Sequence, residues 1–235
     1  CPNLLIKFVL VLVTSNLIAS EYHRAMVNPE PSEIPSRIAL NWSDDPTTSI
    51  SVTWRTSTSI ENAYAEIAIA DDSANFITWR TQVIAKTEKW NQGTYSAHFH
   101  SVTFSKLKPD TLYAYRVGSE KVWSAWYQYR TASKNSGSFS FIYFGDAQNN
   151  LLSLWSRVIR GSILDAPQSA FLLHAGDLVN NANNDSEWEE WFQAGSWIHA
   201  QVPIIATPGN HEYTTNNNGT ESLSTLWKPH FTLPK

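Results

Sequence analysis

Three short apolar stretches in the second half of the chain each lead into a glycine followed by a side chain that can ligate a metal. Residues 139–144 run into Gly145-Asp146, residues 170–174 lead to Gly176-Asp177, and residues 202–206 lead to Gly209-Asn210-His211-Glu212. Successive sites lie about 31 and about 33 residues apart, the length of one strand-helix-strand crossover. The intervening segments have helical spacing. One carries Leu151, Leu154, Trp155, Val158, Ile159 and Ile163; the other carries Trp188, Trp191 and Phe192. Strand, helix, strand, helix, strand in this order implies an α/β unit with parallel strands. Right-handed crossovers set successive strands side by side. Their carboxyl ends then point the same way, and Asp146, Asp177, Asn210 and His211 share one crevice. A single Gly-Asp after a strand is ordinary turn chemistry; three matched positions are not. Two acids, an amide and a histidine offer hard oxygen ligands and a proton carrier, a set suited to divalent or trivalent cations and to phosphate esters.

The first half has another rhythm. Residues 49–54 alternate, with Ile50, Val52 and Trp54 on one face and Ser49, Ser51 and Thr53 on the other. Residues 63–70 alternate too, with Ala65, Ile67 and Ile69 opposite Tyr64, Glu66, Ala68 and Ala70. Further strand patterns follow at 98–104, 112–117 and 126–130, with no long helical period, so a β-sandwich is expected. The stretch from Leu107 to Val117 resembles the part of fibronectin type III domains that holds the tyrosine corner, with Tyr113 as the corner residue. His98 and His100 share a strand face and could pair on a metal, but no carboxylate or cysteine is near them in sequence. The polar segment 133–138 marks the boundary between the two regions.

A chain of 235 residues has room for two such domains. Its formal net charge of -4 gives no basic footprint, so nucleic acid is not an expected partner. Trp 11, Tyr 9 and Phe 10 are read as core and sheet-face residues before any stacking role. Cys1 is the sole cysteine, so no intrachain disulfide can form. Residues 4–19 form a mainly apolar run with a single lysine, Lys7, near its start, and Ser20 and a polar segment follow; this order matches a secretory signal peptide. A membrane anchor is the alternative, though the run is short for a span of roughly 20 residues. Asn41-Trp-Ser43, Asn184-Asp-Ser186 and Asn218-Gly-Thr220 are glycosylation sequons. A secreted glycoprotein is therefore expected.

Gly145-Asp146-Ala147, Gly176-Asp177-Leu178-Val179-Asn180 and Gly209-Asn210-His211-Glu212 resemble the first three sequence blocks of the purple acid phosphatases, calcineurin-like metallophosphoesterases. The preceding sandwich resembles that family's fibronectin-like N-terminal domain. Beside the signal peptide read at 1–20, the resemblance implies the sandwich at 34–132 and the N-terminal part of the metallophosphoesterase domain at 138–235. It implies two metal ions of the Fe, Zn or Mn type: Asp146 on the first, Asp177 bridging both, and Asn210 on the second. His211 would contact the phosphoryl oxygen and help protonate the leaving group. The implied reaction is phosphoric monoester hydrolysis by a metal-bound hydroxide, with a homodimer as one possible assembly and no membrane contact after signal cleavage.

Two departures qualify this picture. The family's tyrosine three residues after the bridging aspartate is Asn180 here, and the histidine that other metallophosphoesterases place two residues after the first aspartate is Gln148. Gln148 and Asn180 are weak ligands at best, so a purple ferric site is not expected; Zn, Mn, Mg or Fe(II) suits the set better. The family's later histidine blocks are also absent, and His230 comes too early to be one of them. The chain is accordingly read as a C-terminally truncated piece that does not turn over alone. A phosphodiesterase or nucleotidase on the same site, or an inactive binding module, are the competing readings. His174 is read as a core histidine, His199 as a surface or supporting one, and Glu212 as either an orienting acid or a solvated one.

Overall fold

The computed structural model describes residues 30–92, 95–135, 137–215 and 219–234. The expected signal peptide, Cys1 and Asn218 lie outside the described residues. The first half is a β-sandwich. One sheet holds β1 (Ser36–Asn41), β2 (Ile50–Thr56), β5 (Lys86–Gln92) and β6 (Tyr95–Phe104). The other runs β4-β3-β7-β8, from β3 (Tyr64–Ile69), β4 (Thr81–Ile84), β7 (Leu112–Gly118) and β8 (Tyr127–Arg130). Ile50, Val52 and Trp54 meet Ala65, Ile67, Tyr115 and Val117 in the core between them. Tyr113 makes the expected corner: its hydroxyl accepts from the Lys108 N–H at 2.8 Å.

The second half supplies β9 (Ile142–Phe144), β10 (Leu172–His174) and β11 (Ile204–Ala206), all parallel, with β10 in the middle. Each is three residues long, shorter than the apolar run that announces it. Flanking residues such as Phe139 and Phe141 stay exposed, because β9 forms the sheet edge. The crossovers are α1 (Ser156–Asp165), preceded by a π-helical turn at Leu151–Trp155, and α2 (Asp185–Gly195). On the first crossover Leu151, Trp155 and Ile159 are buried in the core and Ile163 packs against it. Leu154 and Val158, though at apolar positions of the helical pattern, are about half exposed. A short α3 (Trp227–His230) follows a β12–β13 hairpin (Tyr213–Thr215 and Glu221–Leu223). No helix among the described residues is long and apolar enough to cross a membrane.

The two halves share one seven-stranded sheet. β1 pairs in parallel with β11 at Asn41↔Ile204, giving the order β5-β6-β2-β1-β11-β10-β9. The sandwich sheet is therefore covered on both faces. Its second face packs Ala39, Trp90, Ala97 and Phe99 into the α/β core with Trp188, Trp191, Phe192 and Phe231. The opposite face of β2 is buried too: Ser51, Thr53 and Arg55 all lie inside. Thr53 donates to the His230 carbonyl oxygen at 2.7 Å. Asn41 is corrected as a glycan acceptor. It is fully buried, donates to Ile204 O at 3.4 Å and accepts from Thr232 N at 3.1 Å. Asn184 is exposed and caps α2, accepting from the Ser186 N–H at 3.1 Å.

His199 is not a surface residue: it is 0% exposed and stacked on Trp191 with ring centroids 4.2 Å apart. His174 is a core histidine, boxed by Phe144, Trp155, Trp191 and His199, but its Nε2 has no hydrogen-bond partner. Burial lowers the His174 pKa from 6.5 to about 3. His100 falls to about 3 through burial and the neighbouring His98. Such groups take up protons below pH ~6.5 only on unfolding, so stability declines as pH falls from about 6.5 toward about 3. Each contributes a slope of about 1.4 kcal/mol per pH unit within that window. Urea unfolding at stepped pH checks this, and His174→Leu should remove one proton's worth of the slope.

Candidate metal centre

Asp146, Asp177 and Asn210 leave the carboxyl ends of the neighbouring strands β9, β10 and β11, and the backbone ties their loops together. The Asp146 N–H donates to Gly176 O at 3.3 Å, and the Gln148 N–H donates to Asp177 O at 3.1 Å. Asp146 and Asp177 have φ of 53° and 52°, the left-handed region that non-glycine residues rarely hold. Strain of this kind concentrates where a side chain must be aimed rather than relaxed. Gly176, at φ 95°, and Gly209 bring the second and third loops into backbone contact. A Cβ on Gly176 would lie 2.6 Å from Gly209 N, and one on Gly209 would lie 2.2 Å from Asp177 Oδ1. Neither position admits a side chain without parting the loops.

Asp177 is the buried member of the set; Asp146 and Asn210 are exposed. Asp177 Oδ1 accepts from the His211 N–H at 3.0 Å, which fixes the carboxylate beside the Asn210-His211 turn. His211 Nδ1 lies 2.6 Å from the carbonyl oxygen of Asn180. A carbonyl only accepts, so Nδ1 carries the proton and Nε2 is the ring nitrogen left for other partners. Asn180 thus acts through its backbone, while its side chain is exposed; Gln148 is half-buried and joins the first two loops through its N–H.

Glu212, which the sequence left open, is 0% exposed and accepts from the N–H groups of Asp177, Leu178 and Gly209 at 2.8 Å each. His98 and His100 are held by hydrogen bonds instead of facing a metal: His98 to Ile60 O, His100 to Thr56 and Thr87. His230 is buried against Arg37, 3.1 Å from its Nη1.

Among the described residues no group of three or more His, Cys, Asp and Glu comes together as a metal cage. Asp146, Asp177 and the Asn210 amide nevertheless place hard oxygen donors on linked loops at neighbouring strand ends. The side chains of Asp146 and Asn210 are committed to no hydrogen bond there. The set fits a divalent cation of the Mn, Mg or Zn kind as part of a ligand shell, and offers no thiolate for a softer metal.

Comparisons with known proteins agree with this fold. Residues 35–131 match the family model for the purple acid phosphatase N-terminal domain, and residues 139–232 match the model for calcineurin-like phosphoesterases. The chain is 27% identical over 212 residues to acid phosphatase type 7 of Mus musculus, covering 87% of this chain and 44% of the relative. It is 31% identical over 123 residues to acid phosphatase type 7 of Danio rerio, covering 51% of this chain and 27% of the relative. It therefore spans less than half the length of these relatives. In fold it is similar to a purple acid phosphatase from yellow lupin seeds, with TM-score 0.65 and 18% identity over 85% of this chain and 39% of that one. It is also similar to PhoD, with TM-score 0.53 and 16% identity over 81% of this chain and 41% of that one.

Proposed function

Because the chain belongs to the purple acid phosphatase family of calcineurin-like phosphoesterases, we propose that the full-length protein is a metal-dependent phosphoric monoester hydrolase. The supporting observation is the junction of Asp146, Asp177, Asn210 and His211 on linked loops at three adjacent parallel strand ends. Asp146 would hold one cation, Asp177 would bridge, and Asn210 would hold the second. Cations held there would polarise the phosphoryl group and acidify the attacking water. His211, with Nδ1–H spent on Asn180, would present Nε2 to the leaving-group oxygen and, when protonated, supply its proton. Asn180 offers no phenolate, so Zn, Mn, Mg or Fe(II) is the expected metal rather than tyrosinate-bound ferric iron. The apolar leader at 4–19 supports secretion of the protein.

The test is hydrolysis of an aryl phosphate monoester by the full-length protein, with and without chelator, beside the matching diester. Metal-dependent release from the monoester is the expected result. Activity that survives complete chelation, or that favours the diester, contradicts the reading.

A further inference from the structure

Glu212 is a buried carboxylate with no ion-pair partner among the described residues. Its charge is met instead by peptide N–H groups. Oε1 accepts from Leu178 N at 2.8 Å and from Val179 N at 3.4 Å. Oε2 accepts from Asp177 N and from Gly209 N, each at 2.8 Å. Only the Gly209 bond is local. The other three reach back 33 to 35 residues, to the loop after the neighbouring strand. An unmatched buried charge costs several kcal/mol, whereas one wrapped by this many N–H groups is tolerated. Both loops must therefore keep these conformations for the carboxylate to remain buried. Its own backbone is held in turn, since the Ser224 N–H donates to Glu212 O at 2.9 Å.

We propose that Glu212 is a positioning residue: one carboxylate that fixes Asp177 and the Gly209-Asn210-His211 turn relative to each other before any cation binds. This rests on the phosphoester reading of the site. The N–H groups it gathers belong to Asp177 itself, to the two residues after it, and to the glycine just before Asn210. The left-handed conformation of Asp177 and the glycine contact between the loops come from the same closure. Glutamine at 212 would keep the volume but lose the charge, and one of its two heads would be a donor facing donors.

The experiment compares the full-length wild type with Glu212→Gln. Mn²⁺ and Zn²⁺ affinities are measured by calorimetry on folded protein, and backbone amide exchange is measured on the metal-free forms. In the variant, cation affinity should fall about 10–100-fold. The Asp177, Leu178 and Gly209 amides should exchange faster by about tenfold or more, while Leu172 in β10 stays protected. Unchanged affinity and exchange in a folded variant overturns the proposal, and so does a lowered melting temperature alone. Should the variant not fold, the wild type decides. Slow exchange of those amides without metal supports Glu212 as the organiser; fast exchange that slows only on Mn²⁺ addition assigns the ordering to the cation and overturns it. A wild type that binds no cation yet keeps these amides protected sinks the phosphoester reading and leaves the loop-organising role standing.

Discussion

Arg55→Ala should destabilise the protein by about 3–5 kcal/mol, the loss expected when one member of a buried ion-pair network is removed. Arg55 and Arg37 leave β2 and β1 with side chains 2% and 0% exposed, and meet Asp185 and Glu189 on α2. Arg37 contacts Asp185 at 2.6 Å and Glu189 at 2.9 Å; Arg55 contacts them at 3.1 Å and 2.9 Å. The Tyr95 hydroxyl donates to Asp185 Oδ2 at 2.8 Å. Two positive and two negative charges cancel here, so deleting one cation leaves a buried negative charge partly unmatched. Burial lowers the Arg55 pKa, with Arg37 acting in the same direction. The network joins the sandwich to α2, the helix that follows the loop carrying Asp177 and Asn180. Urea unfolding measures the loss, and a double-mutant cycle with Glu189→Gln should return a coupling of about 0.5–3 kcal/mol. A loss below about 1 kcal/mol would place the pair in the class of screened surface bridges.

The second large effect concerns the site. In the full-length protein, Asp177→Asn should leave the fold intact and lower cation affinity at least about 100-fold, above the 10–100-fold that supporting partners alone command. An amide oxygen can still accept the His211 N–H, so the loop connection survives. The amide, however, has one ligating oxygen and no charge, and cannot hold two cations as a carboxylate can. Turnover should fall together with metal content. A variant with normal metal content and normal rate would contradict the bridging assignment.

The placement of the three loops was legible because their spacing is local and repeated. A glycine and a polar residue after each apolar run, with one crossover between them, are enough to set Asp146, Asp177 and Asn210 at neighbouring strand ends. The tyrosine corner at Tyr113 was legible for the same reason, its partner lying five residues away. What the sequence hid depends on distant contacts. The polar face of β2 is covered by Asp185, Glu189 and His230, which come more than a hundred positions later. Burial of His199 needs α2 folded over it, with Gly195 so close that a Cβ there would lie 2.1 Å from the ring. Glu212 stays open between an orienting acid and a solvated one until β10 and β11 are neighbours and its carboxylate meets the Asp177 and Leu178 amides. The short strands have a related cause: apolar residues such as Phe139 and Phe141 extend the pattern but lie beyond the paired register.

The most direct test of the two-cation site is anomalous diffraction from crystals of the full-length protein loaded with Mn²⁺ or Zn²⁺. Two peaks roughly 3.5–4 Å apart are expected, one against Asp146, one against Asn210, and Asp177 between them. A single peak away from these residues, or two peaks with Asp177 outside ligand distance, would contradict the two-cation site.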